Sequence, residues 1–172
     1  MNNLIRVFSL LCLIVVFSTC KKEPDQPTIT TTEVTTITTT TATVGGNVTA
    51  DGGATVTERG ICYSTAQNPT TASSKLVATG TTGAFTSNLI GLTAGITYYV
   101  RAFANNSVGT AYGNEVNFTT TPSTAPTLTT TAPTAVTSTT ATSGGNVTAD
   151  GGATITERGI CYSTTQNPTT TS

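Results

Sequence analysis

Ala42–Thr71 reads ATVGGNVTADGGATVTERGICYSTAQNPTT, and Ala141–Thr170 reads ATSGGNVTADGGATITERGICYSTTQNPTT. The two blocks lie 99 residues apart and differ only at Val44/Ser143, Val56/Ile155 and Ala66/Thr165. A whole β-sandwich domain takes about 100 residues, so this period reads as a tandem array of domains, not a solenoid of short repeats. The first copy continues for about fifty residues past its block, while the second stops at Ser172.

Around the block, short apolar or Thr-rich runs alternate with turn signals. The spacing predicts strands over Thr28–Val34, Ala42–Ala50, Thr55–Ser64, Lys75–Thr79, Ala84–Ile90, Thr97–Asn105 and Asn114–Thr120. Asp51-Gly52-Gly53 supplies residues that tolerate positive φ at a turn, and Asn68-Pro69 interrupts strand continuation. Thr127–Ser172 is expected to supply only the first three strands of a second sandwich, with its inner face uncovered and an edge unpaired.

Composition supports an all-β chain. Of 172 residues, 46 are Thr, a β-branched residue at home on a pleated surface. Only 9% are charged and the net charge is −1, which gives no basic footprint for nucleic acid. The absence of His removes the commonest general base and metal ligand. Acids are sparse, so no catalytic residue, metal site or cofactor is assigned and the chain is read as non-enzymatic. The carboxylates of Asp51 and Asp150 in the Asp-Gly-Gly turns are too few to hold calcium. Glu58-Arg59 and Glu157-Arg158 read as solvated or inter-strand ion pairs, because strand neighbours face opposite sides. Three Asn-x-Thr triplets, starting at Asn47, Asn117 and Asn146, matter only in a eukaryotic secretory pathway.

The N-terminus is an address. Val7–Phe17 (VFSLLCLIVVF) is an eleven-residue apolar run, the length of a signal-peptide core and too short to span a bilayer. Phe17-Ser18-Thr19-Cys20 follows and resembles the lipobox of bacterial lipoproteins, in which the cysteine becomes the lipid-modified first residue. That family prefers Leu where Phe17 stands and Gly, Ala or Ser where Thr19 stands. The competing reading is an ordinary secretory signal followed by a chance cysteine. Residues 1–19 are therefore read as a lipoprotein signal, Cys20 as the lipidation site and 20–27 as a tether. Cys62 and Cys161 are equivalent, one per copy, which leaves no disulfide within a domain.

Leu92–Gly109 (LTAGITYYVRAFANNSVG) resembles fibronectin type III domains at Leu92, Gly95, Tyr98, Val100, Ala102, Ala104, Asn105 and Gly109. Ala94 and Ile96 replace the family's Pro and Thr, and its early-strand Trp is missing. Gly60–Thr65 (GICYST) brings the chain closer to a bacterial cell-surface subgroup. The resemblance implies an immunoglobulin-like sandwich over 28–121, a linker over 122–126 and an incomplete second copy over 127–172. It also implies that Tyr98 forms a tyrosine corner and that Tyr98, Val100, Ala102 and Ala104 face inward. Leu92, Tyr98 and Cys62 are then structural residues.

On that parity Tyr99, Arg101 and Phe103 face outward, and if Cys62 points inward, Ile61 and Tyr63 join them. Ile61, Tyr63, Tyr99, Arg101 and Phe103 are the candidate binding face, suited to a sugar ring or a partner protein. Ordinary cross-strand pairing competes with that reading. Glu115 is placed to pair with Arg101. The functional expectation is a lipid-anchored envelope protein, in the outer membrane and surface-exposed, whose tandem domains act as spacer, adhesive or protein-interaction modules. Its partners are the membrane, through the anchor, and cell-surface proteins or polysaccharide. One alternative is a glycan-binding accessory module of a polysaccharide-uptake system, and another is the stalk of a longer protein with its functional domain beyond residue 172.

Overall fold

In the computed structural model, residues 22–170 are described, and every regular element among them is a β-strand. The signal segment and Cys20 lie outside the described residues. The first unit has eight strands: β1 (Thr28–Thr31), β2 (Ala42–Ala50), β3 (Glu58–Ser64), β4 (Ser74–Ala78), β5 (Gly83–Leu89), β6 (Thr97–Asn105), β7 (Thr110–Tyr112) and β8 (Val116–Thr119). The second unit has β9 (Thr127–Thr134) and β10 (Thr142–Ala149).

Two antiparallel sheets face each other in the first unit. One runs β1-β2-β5, and the other runs β4-β3-β6-β7, with β8 also pairing β6. Between them lies a single core that includes Val44, Val48, Ile61, Leu89, Leu92, Tyr98, Val100 and Ala102. This is the all-β sandwich that the strand pattern predicts, in the form that the resemblance to fibronectin type III domains implies. β7 lies in the stretch between Asn105 and Asn114 to which no strand was assigned, since three residues carry no periodicity of their own.

Strand alternation buries one face of β6 as expected: Tyr98, Val100, Ala102 and Ala104 all belong to the core. The Tyr98 hydroxyl accepts a hydrogen bond from the Thr93 N–H at 3.0 Å, five residues upstream. Its ring stacks on Phe118, with centroids 5.8 Å apart. The Asp-Gly-Gly turn forms as read, with Gly52 and Gly53 at φ 75° and 82° and the Asp51 carboxylate accepting from the Gly53 N–H at 2.8 Å.

The tether is held earlier than its composition suggests. The Asp25 N–H donates to the Gly52 carbonyl at 2.8 Å, and Pro27 is buried. Asn106 binds this end of the unit together: its amide donates to the carbonyls of Asp25 and Asp51 at 2.7 and 2.8 Å.

The second unit differs from expectation. It forms two strands, not three, because the stretch matching β3 runs without ladder partners. In the first unit β3 is paired on one side by β4 and on the other by β6. Neither has a counterpart among the described residues of the second unit. Leu128, Val136 and Tyr162 are consequently exposed, at 60%, 69% and 88%.

Candidate functional site

The outer face of β3 and β6 was the expected binding surface, and the structure breaks that face up. Register pairs Ile61 with Ala102 and Tyr63 with Val100, so Ile61 and Tyr63 point between the sheets. Ile61 has no exposed surface and sits in the core, and the Tyr63 ring lies 6.4 Å from that of Tyr98. Cys62 takes the opposite side, across from Arg101. The inward and outward assignments of Ile61, Cys62 and Tyr63 are thus reversed.

Side-chain volume explains the reversal. Ile61, Cys62 and Tyr63 are all apolar, so alternation carries no sign there. Close packing decides it instead: bulky Ile61 meets small Ala102, and bulky Phe103 meets Gly60. A Cβ on Gly60 would collide with the Leu76 carbonyl of β4, so only glycine fits between the strands there.

Tyr99, Arg101 and Phe103 do lie on the outer side, but Phe103 is fully buried. The chain after β3 folds back as a strap over this face. Pro69 is fully buried in it, and the Cys62 Sγ lies 3.4 Å from the Pro69 carbonyl oxygen. The Thr71 N–H donates to the Tyr112 hydroxyl at 3.1 Å. Asn68, in the left-handed region at φ 56°, donates its N–H to the Glu115 carboxylate. Burial pushes the Cys62 thiol above its ordinary pKa of 9.0, opposed by the nearby Arg101 charge.

The expected Glu115–Arg101 pair does not form. Glu115 is taken by the strap, while Arg101 Nε donates to the Gly113 carbonyl at 3.0 Å. The Arg101 guanidinium lies 4.8 Å from the Tyr112 ring centre. Of the five candidate binding residues, only Tyr99 and Arg101 keep partial exposure on the outer side.

Glu58 forms an inter-strand ion pair, one of the two readings given for it, with Lys75 at 2.8 Å across the β3–β4 ladder. Its neighbour Arg59 is not solvated but 6% exposed, between the open edges of the two sheets. Nε and Nη2 donate to the Thr79 carbonyl at 2.9 and 2.6 Å. Nη1 donates to the carbonyls of Thr82 and Gly83 at 2.8 and 2.9 Å. The guanidinium also lies 4.9 Å from the Phe85 ring centre. It forms the floor of an open groove of about 530 Å³ between β4 and β5, bordered by Val77, Thr86, Ser87 and Asn88. Four donors spent on turn carbonyls make Arg59 a clasp for the β4–β5 connection. No signal short of the tertiary contact separates it from an exposed strand arginine.

No family model matches this sequence, and no curated protein matches it either. Among solved structures, the sensor domain of an anti-sigma factor from Pseudobacteroides cellulosolvens is similar at 20% identity and TM-score 0.43, covering 57% of this chain and 97% of that one. The sixth fibronectin type III domain of human fibronectin type III domain containing protein 3 is similar at 26% identity and TM-score 0.42, over 62% and 93%. A fourth human fibronectin type III domain is similar at 19% identity and TM-score 0.45, over 66% and 92%.

Proposed function

We propose that the chain is a non-enzymatic, lipid-anchored protein of the bacterial cell envelope, at the outer membrane and facing outward. Its tandem sandwich units act as a spacer and as a protein-interaction or adhesion module. The observation that carries this reading is Cys20, separated only by Ser18 and Thr19 from the apolar run Val7–Phe17 and followed by a charged, proline-containing segment. The whole-domain repeat then extends away from that anchor.

The surface of the first unit agrees with such a role. Its outer sheet face is closed by a strap of its own chain, and Arg59 is spent on backbone carbonyls. The glycan alternative asked for several aromatic rings on one open face, and Tyr63 and Phe103 are not available there.

Labelled fatty acid should enter the wild-type protein, and Cys20→Ala should abolish both labelling and membrane retention. Unchanged membrane association of the Cys20→Ala protein sinks the anchor reading.

A further inference from the structure

We propose that the Thr38–Thr41 loop of the first unit is the docking surface for the Asp150-Gly151-Gly152 turn of the next, and that this joint fixes the two units relative to each other. The inference builds on the spacer reading above but concerns stiffness, which does not depend on the lipid anchor.

The first unit's half of the joint is a braced loop. The Thr38 Oγ1 accepts from the N–H groups of Thr40 and Thr41 at 3.2 and 2.9 Å and lies 2.8 Å from the Thr41 hydroxyl. The Leu92 N–H donates to the Thr40 carbonyl at 2.9 Å, tying the loop to a core residue. The second unit's half is a turn held by Asp150, whose carboxylate accepts from the Gly152 N–H at 2.8 Å.

These halves touch. A Cβ placed on Gly152 would stand 2.5 Å from the Thr39 Cγ2, nearer than carbon atoms approach without a bond. Gly152 has φ 80°, so the turn also requires glycine for its backbone.

The connecting chain has no slack. The Thr121 N–H donates to the Thr38 carbonyl at 3.0 Å, and the Thr124 N–H donates to the Gly151 carbonyl at 2.8 Å. Only Pro122 and Ser123 lie between these two anchors, and Pro126 follows. Proline restricts the backbone further at both ends of the linker. A linker bonded on one side to the loop and on the other to the turn presses the one against the other.

Both halves recur at the 99-residue offset. Thr137 braces Thr139 and Thr140 as Thr38 braces Thr40 and Thr41. Asp51 holds Gly53 as Asp150 holds Gly152. The geometry of one joint is therefore encoded in every copy of the repeat.

Limited proteolysis of the full chain tests this, with cleavage mapped by mass spectrometry. Thr39→Arg should raise cleavage within 122–126 by about tenfold, because cleavage follows the population of the open joint. Thr39→Ala, which removes the seat without adding bulk, should give a smaller rise in the same direction. Hydrogen exchange at the Thr121 amide should quicken alongside, while the core amides of β3 and β6 stay protected in both variants. A wild-type linker cut as fast as that of either variant overturns the joint. So does an increase that appears only together with loss of protection in β3 and β6, which would mark unfolding of the first unit. Because the readout is linker cleavage, it stands or falls separately from fatty-acid labelling at Cys20.

Discussion

Ile61 stands directly opposite Ala102 in the β3–β6 register, and neither side chain has any exposed surface. The next pairs along the ladder are Gly60 with Phe103 and Cys62 with Arg101. Large side chains thus face small ones on both sides of the same sheet. The inner side holds the core, and the outer side holds Cys62 against the Pro69 carbonyl and Phe103, whose ring centre lies 5.7 Å from the Lys75 ammonium.

Ile61→Ala should destabilise the first unit by about 2–5 kcal/mol, the range for truncating a fully buried aliphatic residue. Urea unfolding measures this directly. A change within about 0.5 kcal/mol, as for a surface residue, would put Ile61 back on the outside.

Tyr98→Phe keeps the ring on Phe118 but removes the acceptor for the Thr93 N–H. A loss of about 0.5–1.5 kcal/mol is expected, the net worth of one hydrogen bond. Unchanged stability in thermal unfolding would show that the corner contributes packing alone.

Arg59→Lys should cost about 1–3 kcal/mol, because an ammonium cannot reproduce the planar fork that meets three carbonyls. Hydrogen exchange should quicken first around the Thr79–Gly83 connection. Equal stability of the lysine variant would mean that the guanidinium is dispensable as a clasp.

Thiol reagents should modify Cys161, which is exposed, well before Cys62, which is buried. Peptide mapping after brief labelling separates the two. The raised Cys62 pKa also sets a pH dependence. Burial keeps the folded thiol protonated to higher pH than the unfolded one, so its contribution is complete below the ordinary value of 9.0. As pH rises above that value the unfolded chain loses its proton first, and stability falls. Cys62→Ala should flatten this alkaline slope, and an unaltered slope would assign it to other groups.

Much of the architecture was legible from local chemistry. Ala42–Ala50 and Thr97–Asn105 form strands with the bounds that were read from alternation and turn residues. The Asp51-Gly52-Gly53 turn follows from backbone freedom that any context would exploit. The candidate site was less legible. Ile61-Cys62-Tyr63 offers no polar partner to mark a face, and the outward reading failed there. The strap is a loop in sequence, and nothing local announces that Pro69 will be buried or that Glu115 will reach Asn68 instead of Arg101.

By itself, the sequence determined what depends on short-range chemistry: an all-β chain, its strands and turns, and the domain-length repeat. Each rests on residues that are neighbours along the chain. Tertiary structure alone decided which side of β3 is the inside, what covers Phe103, where Arg59 spends its charge and how Gly152 meets Thr39. Those outcomes depend on volumes and donors brought together from distant segments. Close packing selects among arrangements that alternation leaves equivalent.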